Sequence, residues 1–180
     1  MTSLEKLCLI AAACLAVILP LGAAQAQSMG GAVTMINRPA TTGTVQCMKT
    51  SRAENAKSAA ETNRLRSASG LPALSPNARL AEAASRHACD MARRSKMTHT
   101  GSQLRRPSHR VRAVGYNQSI VAENIAKGFT NVEQVMGAWI NSQSHRGNIM
   151  LPQAREFGIG RAVGADGRTV FWAAVYAAQR

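Results

Sequence analysis

Two apolar segments, residues 157–163 and 169–177, end the chain and flank the turn sequence Gly164-Ala165-Asp166-Gly167. β-Branched and aromatic residues on either side of a Gly/Asp turn predict a β-hairpin. Neither segment alternates apolar with polar residues, so neither face of the hairpin is suited to water. A sheet apolar on both faces has to be covered on both, and the economical cover is a layer of helices on each side.

The preceding residues supply helices. Most residues from 51 to 69 are good helix formers, and Gly70 with Pro72 supplies a stop. Ser75-Pro76 predicts the start of a second helix, on which Leu80, Ala84, Ala88 and Met91 form a narrow apolar stripe. His87 lies at the edge of that stripe and reads as a half-buried packing residue. Thr130-Asn131-Val132-Glu133 has the form of a capping box, and Val132, Val135, Met136, Trp139 and Ile140 then share one helical face as far as Ser142. Trp139 and Trp172 read as core. Residues 93–115 are polar, basic and irregular, with Arg93, Arg94, Lys96, Arg105, Arg106, Arg110 and Arg112 around His99, and predict a long basic loop with His109 in solvent.

The first 26 residues read as a signal peptide. Lys6 precedes an apolar run to Leu21, and Ala24-Gln25-Ala26 places small residues before a cleavage point at Gln27. The run is about 15 residues against the ~20 that span a bilayer, and Ala11-Ala12-Ala13 does not suit lipidation of Cys14. An exported protein is expected, periplasmic or secreted, with no transmembrane segment once the signal is removed. Residues 27–50 read as an extended arm, and residues 51–180 have the size of one domain, expected to be monomeric. The signal carries one Glu and one Lys, so the mature chain keeps the net charge of +13. That basic balance points to an anionic envelope component, a lipid or a protein as partner, or to solubility alone. Scarce aromatics leave little for base stacking and argue against nucleic acid.

Of the four cysteines, Cys8 and Cys14 leave with the signal. Cys47 and Cys89 in an oxidising compartment predict one disulfide, with two free buried thiols as the alternative. The bridge would anchor the arm to the second helix.

The polar residues that demand an explanation are in the stretch Ala122-Glu123-Asn124-Ile125-Ala126 and in Trp139-Ile140-Asn141-Ser142-Gln143-Ser144-His145-Arg146-Gly147-Asn148-Ile149. A carboxylate inside an apolar run is costly unless it is paired. Two imidazoles and a carboxylate, His99, Glu123 and His145, are also ligand types common at zinc and other divalent sites. Their wide spacing carries no local metal signature, so a hydrogen-bonded polar network and a weak metal site both stand. Nucleophilic catalysis has less support: Ser142 and Ser144 adjoin His145, but no Gly-x-Ser-x-Gly elbow is present. Both serines read as ending or capping helices, Asn124 as bonding backbone near the site, and Arg146 as binding helix-end carbonyls or pairing with Glu156.

Taken in order, several motifs resemble the CAP superfamily (cysteine-rich secretory proteins, antigen 5, pathogenesis-related 1), also called the SCP domain, in its bacterial form. They are Asn63-x-x-Arg66-x-x-x-Gly70-Leu71, Met97-Thr98-His99-Thr100, Gly115, the Glu123 stretch, Trp139-x-x-Ser142-x-x-His145-Arg146-x-Asn148-Ile149, Gly158-Ile159-Gly160 and Val170-Phe171-Trp172. The resemblance implies an α+β fold, an α-β-α sandwich whose central antiparallel sheet is flanked by helices. It also implies a cleft lined here by His99, Glu123, His145, Ser142 and Asn124, with His99, Glu123 and His145 as the residues able to hold a divalent metal such as zinc. The second acid of many members falls near Ser142, which weakens any such site. The expected function is non-catalytic binding of a lipid, glycan or protein ligand by a secreted protein. The alternative is a divalent-metal-dependent hydrolase using His99, Glu123 and His145.

Overall fold

The computed structural model describes residues 43–180. The expected signal peptide and most of the arm lie outside the described residues. The elements run β1 (Gln46–Cys47), α1 (Arg52–Ala68), β2 (Ser75–Pro76), α2 (Ala78–Arg93), α3 (Pro107–Ala113), β3 (Gln118–Lys127), α4 (Val132–Asn141), α5 (Gln143–Ile149), β4 (Glu156–Val163) and β5 (Val170–Gln179). The sheet order is β1-β4-β5-β3, with neighbours antiparallel and β2 added parallel to β4.

The C-terminal hairpin forms as expected, and its nearly continuous apolar character has the predicted cause. Alternate side chains of β5 enter two separate cores. Trp172, Ala174 and Tyr176 pack with Ala59 of α1, Val135, Met136 and Trp139 of α4 and Ile149 of α5. Phe171, Ala173, Val175 and Ala177 pack with Leu80, Ala84, Ala88 and Met91 of α2 and Val111 of α3. The result is a three-layer sandwich, with α1, α4 and α5 on one face and α2 and α3 on the other.

Contact between α2 and β4 is close enough to require glycine. A Cβ on Gly158 would lie 2.1 Å from the Ala81 nitrogen, and one on Gly160 would lie 2.1 Å from the Ser85 nitrogen. The cross-link Cys47–Cys89 then ties β1 to α2.

Several local expectations are corrected. Ser75 and Pro76 form the short strand β2, and Asn77 caps α2 by accepting from the Arg79 and Leu80 N–H groups. The N-cap of α4 is Asn131, whose side chain accepts from Gln134 N; Thr130 bonds the Gln134 side chain. The basic stretch is not loop throughout, because α3 forms over Pro107–Ala113. Glu156 does not pair with Arg146: it accepts from Tyr116 Oη at 2.5 Å and Asn77 Nδ2 at 2.7 Å. Both tryptophans are core, with indole N–H groups donating to Ile125 O and Phe129 O.

Candidate functional site

β3 is the terminal strand of the sheet, and the candidate residues gather along it. Side chains alternate on a strand, so the adjacent residues Glu123 and Asn124 enter opposite layers. Asn124 faces α5: its Nδ2 donates to His145 O at 3.0 Å and its Oδ1 accepts from Asn148 Nδ2 at 2.8 Å. Asn148 also donates to Glu123 O at 3.1 Å, so these two amides lock α5 against the strand. The architectural role expected of Asn124 is what its contacts provide.

Glu123 faces α2 and α3, with its side chain only 2% exposed. Its Oε2 accepts from Arg110 Nη2 at 2.5 Å, and its Oε1 lies 2.9 Å from His99 Nδ1. Burying a carboxylate is tolerable because a buried guanidinium compensates it. Arg110 is itself only 6% exposed, and its Nη1 donates to the carbonyls of His99, Leu104 and Arg105. One side chain thus neutralises Glu123 and gathers the segment that carries His99.

Sequence reasoning missed Arg110 because the surrounding cations read as a solvated loop. The signal that could have found it was Pro107: proline suits the first turn of a helix, and a helix there turns one cation of the cluster inward. His87 also departs from expectation. It is fully buried, with neither ring nitrogen hydrogen-bonded to a described residue, and its Nε2 stands 3.6 Å from Glu123 Oε1. Burial pushes the His87 pKa below the usual imidazole value, outweighing the opposite pull of the Glu123 carboxylate.

His145 approaches from the other layer. Ser142 is extended (φ −97°, ψ 121°) and separates α4 from α5. The Ser142 hydroxyl lies 2.8 Å from His145 Nδ1, and no helix N–H takes it as a cap. Burial, and then repulsion from His99, lowers the His145 pKa. The sheet edge therefore carries His99 on one side, 57% exposed, and the half-buried His145 on the other.

As arranged, Glu123 is not available as a direct metal ligand. Both Glu123 oxygens are engaged, and among the described residues no group of three or more His, Cys, Asp or Glu side chains is close enough together to hold one. Ser142 adds a hydroxyl where a second carboxylate would add charge.

Residues 59–176 match the model of the cysteine-rich secretory protein (CAP) family. The chain belongs to the CAP family. The protein YkwD of Bacillus subtilis is 32% identical over 99 residues, which are 55% of this chain and 38% of YkwD. An extracellular SCP-domain protein from Bacillus anthracis superposes with a TM-score of 0.60 at 23% identity, over 71% of this chain and 42% of that one. An outer surface protein from Borrelia burgdorferi gives 0.63 at 22% identity, over 74% and 98%. These two structures share the α-β-α sandwich. The chain spans well under half the length of YkwD and of the B. anthracis protein. No helix among the described residues is long and apolar enough to cross a membrane.

Proposed function

We propose that this CAP domain is exported and acts as a non-catalytic binding module, taking a lipid, glycan or protein ligand at the cleft where His99 and His145 flank the edge strand. The observation that carries this reading is the state of Glu123. Its Oε1 is held by His99 and its Oε2 by Arg110, so the carboxylate serves the architecture and is not free to act as a base. What the cleft offers a ligand is the exposed imidazole of His99, the ring of His145 and the hydroxyl of Ser142, all groups suited to recognition by hydrogen bonding.

The test is a mass-spectrometric inventory of molecules that co-purify with the exported wild type and with His99→Ala/His145→Ala. A species held by the wild type and lost from the folded variant is expected. An identical inventory on both would overturn the assignment to this cleft.

A metal-dependent hydrolase is the second reading, and one observation favours it. Glu123 engages His99 Nδ1, which leaves Nε2 for a ligand, as in carboxylate–histidine–metal arrangements. Zinc calorimetry on the wild type and on His99→Ala separates the two readings. Equal heats from both proteins dispose of the metal, whereas stoichiometric uptake lost in the variant, together with zinc-dependent turnover by the wild type, would displace the binding-module reading.

A further inference from the structure

Beside the Glu123 network, whose His87 and Arg110 contribute to its wall, a cavity of about 620 Å³ opens between the segment after β1, α2 and the loop before α3. Its walls divide chemically. The Cys47–Cys89 disulfide, Ala83 and Leu104 supply an apolar side, and Leu104 is one of two large hydrophobic side chains exposed among the described residues, at 40%. Lys49 and Arg93 supply charge.

The acids at the cavity do not cancel that charge. Glu82 is paired with Arg86, and Asp90 is held by Arg94 and by the backbone and hydroxyl of Ser102. Among the described residues neither Lys49 nor Arg93 has an acidic partner. Lys49 is also fixed at its base. Cys47, two residues before it, is cross-linked to α2, and Thr50, one residue after it, donates to Ile159 O at 2.7 Å and bonds Ser85 Oγ at 3.1 Å. A second cavity of about 620 Å³ shares Lys49 as a wall residue, so the side chain stands in open space on a held backbone. Because that backbone is already ordered, binding an anion costs only the ordering of the side chain itself.

We infer that this cavity is a second ligand site, which takes an anionic amphiphile: a phosphate or carboxylate head between Lys49 and Arg93, with an apolar portion against the disulfide, Ala83 and Leu104. The volume lies within the range of small-molecule sites. The shared requirement is one anionic head with a short apolar tail, whether the source is a lipid fragment or a free organic acid.

The test is calorimetry at low salt with hexyl phosphate, hexanoate and inorganic phosphate on the mature wild-type protein. Saturable one-to-one binding of either alkyl anion is expected, weakened at least tenfold in Lys49→Glu/Arg93→Glu. Leu104→Ser should weaken the alkyl anions while leaving inorganic phosphate unchanged. Arg168→Glu, on the hairpin turn and outside the cavity lining, changes net charge by half as much as the double variant and should bind as the wild type. Equal weakening in Arg168→Glu would reduce the effect to net charge and overturn the site, as would unchanged affinity in the double variant. Amide shift mapping provides a reading that needs no variant. Hexyl phosphate should move residues 47–50, 82–93 and 101–104; movements centred on His99 and His145 would place the ligand in the other cleft and sink this proposal alone.

Discussion

Arg110→Leu tests the central claim about the site, that one guanidinium makes the buried Glu123 tolerable. The two side chains are 6% and 2% exposed, so solvent does not replace the lost partner. Removing one member of a buried ion pair typically costs about 3–5 kcal/mol, because the other charge is left uncompensated. The carbonyls of His99, Leu104 and Arg105 lose a donor as well, but they are only part-buried and water replaces much of that loss. About 4 kcal/mol is therefore expected for the single change. Glu123→Leu should cost a similar amount by stranding Arg110. Arg110→Leu/Glu123→Leu removes both charges together, so it should lose less than the sum of the singles by up to about 3 kcal/mol. Urea titration of all four proteins, with m-values checked for constancy, measures the cycle. Additive losses, or a cost below about 1 kcal/mol for Arg110→Leu, would refute the reasoning, since they would mean that the carboxylate does not depend on Arg110.

Three further outcomes follow from the structure. Cys47→Ser should destabilise by about 4 kcal/mol in the chain-entropy account of a loop closed over 42 residues; an oxidised wild type and the variant unfolding at the same urea concentration would contradict it. Trp139→Ala, at a side chain 1% exposed, should cost about 3–5 kcal/mol, and a midpoint shift worth less than about 1 kcal/mol would mean that α4 does not pack through it. Stability should fall as pH drops below 6.5. The folded His87 and His145 have lowered pKa values, so the unfolded chain takes up protons first, and each such proton contributes at most about 1.4 kcal/mol per pH unit until the folded groups titrate. His87→Leu should flatten part of that slope; an unfolding free energy constant from pH 7.5 to 5.5 in the wild type would show that the imidazoles do not contribute.

The periodic and covalent features of this protein are determined locally, and the sequence alone determined them. Apolar residues at nearly every position of the C-terminal hairpin require two covered faces wherever the hairpin sits, and β5 does divide its side chains between two cores. The stripe of α4 and the stop after α1 depend on neighbours within four residues of each other. Cys47 and Cys89, the two cysteines outside the expected signal, are expected to pair, and they do. The family was legible for the same reason, since its motifs are short and ordered.

The site belongs to the tertiary structure. Arg110 and its neighbours in the basic stretch are alike in sequence, yet the turn of α3 buries this guanidinium against Glu123 and leaves Arg106 and Arg112 exposed. His87 occupies the edge of an ordinary apolar stripe, and only the proximity of β3 to α2 and α3 makes it part of the carboxylate's surroundings. Glu123 and Asn124 adjoin in sequence and belong to opposite layers because β3 alternates at the edge of a sheet. A carboxylate's partners are set by which chain segments meet around it, and Glu123 meets Arg110 13 residues away and His99 24 residues away. Local spacing holds no record of such contacts; the packing of the layers creates them.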